Sequence, residues 1–539
     1  MSHQVRCRLK PYIQPFERRL ATSELEAFAE GPVRTSGTRE NTSTGSAEAC
    51  VRVPPKTLAN RLAYYESVIC GNQEFLTTQV LKEATVYAAR NGAPLEEIRK
   101  LVSIADPGRL PNRRCLRYGT HGIHEYRGKF FPQLVRSLIN IAEVPPNGLV
   151  ADPMCGSGTT LVEAALAQCR SIGLDMNPLS VFMTKVKSSL LSADPDRLSE
   201  EYSRVRERLL SPRRSGARGR LAHFSALPAS DQVYLREWFA DQVLEELDVV
   251  ARTVGCVEDD AIRDFMRLSL SNILRSVSWQ KNEDLRVRKE VRTDIEIDPI
   301  REFLEELGRS VRLVLAFLWQ TRGQKLGEAS ADEGDAREAA VRWGNYKGKV
   351  DVVITSPPYA TALPYIDTDR LSLSYLGLLP RSTHRGRDRQ MIGNREITER
   401  MRRDYWVRAT KGANLLPKSV VMLIGKIDLL NAKTDAGFRR RNLPALLAKY
   451  FLDMRQVLSA IAEMLKPGAR AFVVVGNNHT VARGQRVEIG TAKLLVELAA
   501  MVGLEPGDHI PMEMLVSRDI FRRNAVASEE ILVFRKALQ

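Results

Sequence analysis

Histidine and cysteine are both scarce, seven of each in 539 residues. The cysteines, at 7, 50, 70, 115, 155, 169 and 256, include no CxxC pair, and no histidine spacing has the zinc-ligand form. A disulfide framework and a structural metal are therefore not expected, and a reducing, cytoplasmic setting is. No run approaches the ~18 uninterrupted apolar residues of a membrane span. The amino terminus, MSHQVRCRLKPYIQPFERR, lacks the apolar stretch of a signal peptide. A soluble intracellular protein is expected. No repeat recurs at 20 to 50 residues, which excludes a solenoid. Acidic residues are also in short supply, 65 Asp and Glu against 80 Lys and Arg, a net charge of +15. That balance favours a polyanionic partner. What remains, 44% hydrophobic and 27% charged, is ordinary globular composition.

The chain divides by composition. Residues 1–55 read as a basic lead and a flexible linker, because GPVRTSGTRENTSTGSAEACVRVPP at 31–55 is rich in Ser, Thr, Gly and Pro. Residues 56–110 show helical spacing in LANRLAYYESVI, EFLTTQVLKEATVYAA and LEEIRKLVSIA, broken at Gly71 and Asn91-Gly92, and predict a small helical module. At 146–178 the pattern becomes strand, glycine loop, helix, strand, the βαβ signature of an open parallel sheet. Residues 186–325 interrupt it with helical periodicity and an arginine-rich turn at 211–220. Strand signals resume at VDVVITSPPY (350–359), ARAFVVVGNN (469–478) and EEILVFRK (529–536).

Two segments carry chemistry. Asp152-Pro153-Met154-Cys155-Gly156-Ser157-Gly158-Thr159-Thr160 follows an apolar strand and opens a helix, so its glycines let backbone approach a ligand at the sheet's carboxyl edge. Asp175, 19 residues after Gly156, ends the next strand, where a carboxylate can accept from both hydroxyls of a ribose. Position 161 is Leu, so the third glycine of a dinucleotide loop is missing. A ligand with a ribose but no pyrophosphate, such as S-adenosylmethionine, fits better than NAD; a plain strand-to-helix turn is the alternative. The second segment, Ser356-Pro357-Pro358-Tyr359, ends another strand. An exocyclic amine of a nucleobase is a poor nucleophile because its lone pair is conjugated with the ring. It needs acceptors for its two hydrogens, which the Ser356 hydroxyl and the Pro357 carbonyl can supply. The two prolines stiffen the loop, and Tyr359 offers a face for stacking an extruded base. A rigid proline turn is the bland alternative.

Together these segments resemble one family, the DNA methyltransferases of exocyclic amino groups, cytosine-N4 and adenine-N6. The resemblance runs from about His121 to Lys536. HGIHEYRGKFFP, with His121, His124, Tyr126, Lys129, Phe130 and Pro132, looks like the family's HxxHxYxxKFxP element beside the methionine half of the cofactor. DPMCGSGTT is similar to its cofactor loop, which implies cofactor contacts for Asp152, Pro153, Cys155, Gly156, Gly158 and Thr159. Asp175 with Asn177 resembles its ribose-binding step, and Gly334-Asp335 the segment whose Asp335 would face the adenine. SPPY matches the catalytic loop, and Leu465-Lys466-Pro467-Gly468 the entry to the fifth strand. The resemblance implies an α/β fold, a Rossmann-like class I S-adenosylmethionine-dependent methyltransferase sheet. That catalytic domain would occupy 111–185 and 326–539, with 186–325 a large helical insertion. The insertion is one candidate for the target-reading region. The other is 381–418, with eleven Lys or Arg against four Asp or Glu, a charge that a solvated face would explain equally.

The implied substrate is double-stranded DNA with the target base flipped out. Methylation of cytosine C5 would normally need a cysteine nucleophile after proline, and no cysteine here follows one. Amino methylation needs position and acceptors rather than a covalent intermediate. In the resembled family, Ser before PPY points to cytosine-N4 and Asp or Asn to adenine-N6, so Ser356 favours N4 of cytosine. The alternatives are an adenine-N6 enzyme, an RNA guanine-N2 enzyme, and a non-catalytic subunit that binds cofactor or nucleic acid. No nuclease signature is present, so a restriction or defence partner would be a separate chain.

Overall fold

The apolar runs VDVVIT and AFVVV are continuous rather than alternating, as strands buried on both faces should be. In the computed structural model they lie at the centre of an eight-stranded sheet. The structure describes residues 2–36, 45–89, 94–103, 113–126, 128, 131–212, 221–281, 288–291, 297–360, 365–412, 414–432, 437–513 and 528–538.

An amino-terminal sheet comes first in the chain: β1 (His3–Leu9), β2 (Arg34–Ser36), β3 (Ser46–Val51), β4 (Tyr65–Cys70) and β5 (Gln73–Leu76), in the order β2-β3-β1-β4-β5. The main sheet is built from β6 (Leu149–Asp152), β7 (Arg170–Asp175), β8 (Ala329–Glu333), β9 (Val350–Thr355), β10 (Leu465–Gly476), β13 (Leu504–Pro506), β14 (Ile510–Glu513) and β15 (Ser528–Lys536), with β11 (Asn478–Ala482) and β12 (Gln485–Ile489) forming a separate hairpin. Its order is β13-β15-β10-β9-β6-β7-β8, with β14 also pairing β15. Strands β10, β9, β6, β7 and β8 are parallel neighbours, while β15 runs antiparallel to β10. This is a Rossmann-like open α/β arrangement, a mostly parallel sheet with one antiparallel return. The chain leaves β6 toward β7 on one side and later returns to β9 on the other, so a crevice opens between the carboxyl ends of β6 and β9, where ligands of open α/β sheets bind.

Residues within each central strand alternate between the two faces. Ala151, Val353 and Val473 pack with Leu447, Phe451 and Met454 of the helix Phe438–Met464. Val150, Val352, Ile354 and Val474 pack on the opposite side with Leu134 and Leu138 of Pro132–Ile141 and with Val5, Cys7 and Ala49 of the amino-terminal sheet. A second body of core joins the inserted helices Pro195–Leu210, Asp241–Gly255, Asp260–Ile273 and Pro299–Thr321 to Tyr365–Tyr375, the helix after SPPY.

The first 110 residues depart from the sequence reading. The segment 31–55 contains β2 and β3 rather than only linker, and 56–110 contains a β-hairpin as well as helices. The reason lies in small residues: β3 is SAEACV, whose buried face is Ala47, Ala49 and Val51, so its alternation looks like low complexity. In YESVIC the tyrosine-rich lead mimicked a helix stripe, while Gly71, at φ +57°, is the hairpin turn and not a helix break. The reading of 213–220, within the arginine-rich turn, lies outside the described residues.

Candidate active site

The cofactor-type loop begins where β6 ends. Asp152 accepts from Thr355 Oγ1 at 2.7 Å across the β6–β9 crevice and from Met154 N at 3.1 Å. It thereby braces the loop from beneath, and burial pushes its carboxyl up to about 6. Gly156 and Gly158 hold φ of +49° and +78°. A Cβ on Gly156 would lie 3.0 Å from the Tyr126 hydroxyl, and one on Gly158 would lie 2.7 Å from Thr184 Oγ1. Side chains are excluded at both positions, by backbone conformation and by contact.

Asp175 ends β7 facing this loop. Its Oδ2 accepts Gly156 N at 2.9 Å and its Oδ1 accepts Asn177 N at 2.8 Å. Burial raises its carboxyl to about 6, with those two amides opposing the shift. Asn177 caps the helix Pro178–Ser189 through Leu179 N at 3.1 Å and donates to Asp369 at 2.7 Å. Arg387 donates to the Met176 carbonyl at 2.8 Å and pairs with Glu333.

These residues form one wall of a cavity of about 770 Å³ that Tyr126, Pro153, Cys155, Gly156, Thr159, Asp175 and Asn177 share with Ser356, Pro358 and Tyr365. Tyr126 stacks on Tyr365, centroids 6.4 Å apart and planes 14° from parallel. A second cavity of about 780 Å³ meets the first at Ser356, Gly128 and Tyr365, and continues to Pro357, Tyr359, Val474 and Glu529. Ser356 Oγ donates to the Val474 carbonyl at 3.1 Å, so its hydrogen is committed and its lone pairs remain acceptors. Tyr359 donates its hydroxyl to Glu529.

Other anticipated residues lie elsewhere. His124 contacts Ser271 Oγ at 3.1 Å, on an inserted helix, and is not among the residues lining the cavity. Asp152 and Gly158 act from behind the loop. Asp335 is held by the Arg337 guanidinium, at 2.9 Å from Nε, and Arg337 also binds Asp453 at 2.8 Å; it is Gly334 and Ala336 on either side that line the cavity. Lys129 and Phe130 lie outside the described residues. His121 is buried against Glu163 at 2.9 Å, which also accepts from Tyr118 at 2.7 Å and pairs with Lys82 at 3.4 Å. Thr355, Tyr365 and Glu529 carried no signal of their own in the sequence: the first precedes the motif, the second opens a helix, and the third begins a distant strand.

The cavity's chemistry fits an adenosyl ligand with a sulfonium. The glycine cradle admits close approach, Asp175 retains a lone pair on each oxygen for hydroxyl donors, and Tyr126 supplies an aromatic edge. Burial holds the Cys155 thiol well above its ordinary value, so it is not a thiolate nucleophile. Among the described residues no group of three metal ligands occurs, and no helix is long and apolar enough to cross a membrane.

Residues 124–202 match the UPF0020 family, described as an RMKL-like methyltransferase domain. The chain is 26% identical over 375 residues to the Type II methyltransferase M.MvaI of Kocuria varians, covering 66% of this chain and 77% of that one. It is 21% identical over 450 residues to M.BsoBI of Geobacillus stearothermophilus, covering 76% and 84%. A 50-residue stretch, 9% of this chain and 14% of the relative, is 40% identical to a tRNA (guanine(10)-N2)-dimethyltransferase of Methanocaldococcus jannaschii.

Proposed function

We propose that this chain, similar in sequence to Type II methyltransferases, transfers a methyl group from S-adenosylmethionine to the exocyclic N4 of cytosine in double-stranded DNA. The observation that carries this reading is the pair of cavities that meet at Ser356. One has the glycine loop and the Asp175 carboxylate that suit an adenosyl ligand; the other has the SPPY loop and an aromatic face that suit a flipped base.

When bound, S-adenosylmethionine supplies an electrophilic methyl on a sulfonium. Asp175 holds the ribose hydroxyls, and the backbone at Gly156 lies against the ligand. Ser356, its own hydrogen given to Val474, accepts from the amino group as the nitrogen becomes tetrahedral, and the Pro357 carbonyl offers a second acceptor. Tyr359 stacks on the base. The work of the protein is positioning and electrostatic complementarity, with no covalent adduct: the methyl would pass from sulfur to nitrogen as the sulfonium becomes a thioether, and the amine's surplus proton would leave to water. The full net charge of +15 supports a DNA duplex as partner.

Single-molecule sequencing of DNA from cells expressing the protein, with nucleoside mass spectrometry after digestion, tests this directly. N4-methylcytosine at one sequence context is the expected result. N6-methyladenine would keep the amino-methyltransferase reading and overturn the cytosine assignment. Purified protein that incorporates no methyl into DNA would make the chain a binding subunit instead.

A further inference from the structure

The second cavity has one wall that neither motif supplies. Strand β15 returns antiparallel beside β10, and its residue Glu529 lies opposite Gly476 on one side and Met512 on the other. A glycine partner leaves the space above Glu529 without a side chain. Successive strand residues point to opposite faces, and here Glu530 turns away to Asn477 and His509 while Glu529 turns onto the cavity beside Ser356, Pro357 and Tyr359. One carboxyl oxygen accepts the Tyr359 hydroxyl. Among the described residues no cation pairs with this carboxyl, and Tyr359 is its one side-chain donor. Burial raises it above the ordinary carboxylate range, with the Tyr359 hydroxyl opposing that shift.

The Glu529 carboxyl is part-buried, and one of its oxygens is held by Tyr359, so the other is free to accept from a donor that enters the cavity. The ligand expected in this cavity carries two such donors, the hydrogens of an exocyclic amine. Ser356 can take one from the side of the cofactor cavity, and Glu529 offers the other an acceptor on a different wall, in place of the Pro357 carbonyl that shares the loop with Ser356. We propose that Glu529 contacts the target base directly, its carboxyl accepting one N–H of the exocyclic amino group while Ser356 accepts the other. This assignment rests on the functional reading above and deepens it. Ionised or protonated, the carboxyl keeps an acceptor oxygen. When ionised it offers acceptors only, so a base with a carbonyl in that position would set oxygen against oxygen, and Glu529 selects amino bases over keto bases.

The test is a binding cycle with the full-length protein and S-adenosylhomocysteine, so that no transfer occurs. Duplexes carry at the methylated position either cytosine or pyrimidin-2-one, which lacks only the 4-amino group; for an adenine target, adenine and purine replace them. The native protein should bind the amino-bearing duplex about tenfold more tightly, the scale of one hydrogen bond to a carboxyl. Glu529→Ala should abolish that preference and Glu529→Gln, which keeps a carbonyl acceptor, should restore most of it. Glu529→Leu fills the volume without an oxygen and gives the same reading if truncation unfolds the strand. Tyr359→Phe should keep the preference. The assignment is overturned if Glu529→Ala and Glu529→Leu fold and still discriminate, or if Tyr359→Phe loses discrimination equally, because Glu529 would then act only through the tyrosine. A native protein that methylates DNA yet binds both duplexes alike also overturns it. One that methylates no DNA removes the functional reading and this assignment with it.

Discussion

Asp175 reaches the cavity with each carboxyl oxygen already holding a backbone amide, and it must be ionised to receive two further donors well. Its folded value of about 6 lies above the ordinary value of 3.8. The folded state therefore binds a proton across that interval which the unfolded chain does not, and Asp175's stabilising contribution is lost as pH rises through about 6. Ligand affinity has the opposite sign: S-adenosylmethionine should bind more weakly as pH falls below about 6 and level off above it. Calorimetry from about pH 5 to about pH 7.5, bracketing that value, checks this; a flat profile would remove Asp175 from the ribose. Asp175→Ala should cost ~1.5 to 3 kcal/mol of binding, the range for a hydrogen bond to a charged group. Ser356→Ala loses an acceptor but no part of the adenosyl wall's backbone. It should slow methyl transfer at least about tenfold with cofactor affinity unchanged, a split that single-turnover kinetics and calorimetry resolve. Both residues were legible from sequence because a short loop after a strand has a local signature. Glu529 was not, because its place depends on an antiparallel strand that returns from far along the chain.

Among elements, the basic stretch 381–418 shows how a charge count divides once partners are known. It forms the helices Arg381–Gln390 and Glu399–Lys411. Arg387 is engaged with Glu333 and the Met176 carbonyl, so it braces the cofactor cavity. Arg385 and Arg403 are exposed, at 3.5 and 3.9 Å from Glu396 and Glu399. Neutralising Arg385 and Arg403 should flatten the logarithmic salt dependence of DNA binding by up to about 0.9 for each phosphate that is no longer neutralised. Arg387→Ala should weaken cofactor binding and leave that slope in place. Titrations at several salt concentrations distinguish the two, and an unchanged slope in the double variant would make the exposed arginines a solvated face. The sheet strands with continuous valine runs were readable for the converse reason: burial on both faces demands apolar residues everywhere. The amino-terminal strands, faced with alanine and cysteine, satisfied burial with residues too small to stand out.

At the scale of the whole molecule, the amino-terminal sheet is joined to the catalytic sheet by one core and by buried charge. Lys82, on the helix Thr78–Ala88, meets Glu163, on the helix that follows the glycine loop. Burial alone would raise the Glu163 carboxyl, but Lys82 and then His121 bring it down to about 2. Its stabilising contribution is thus complete above its ordinary value of 4.5 and lost as pH falls toward 2. Lys82→Met should destabilise the protein by about 3 to 5 kcal/mol, since it leaves a buried carboxylate with less compensation. Urea unfolding at neutral pH measures it, and a change within ~0.5 kcal/mol would show the pair to be dispensable. His121, which shares the resembled HxxHxYxxKFxP element with His124, belongs to this internal network, a placement that only the packing of two helices reveals.

The helix that leaves the SPPY loop, Tyr365–Tyr375, has Ile366, Leu371 and Leu373 rooted in the same core as the inserted helices. A chimera that exchanged only the insertion would pull away the footing of the SPPY loop. Exchange of the insertion in this architecture has to transplant the helix after the loop together with it, or redesign the seam between them.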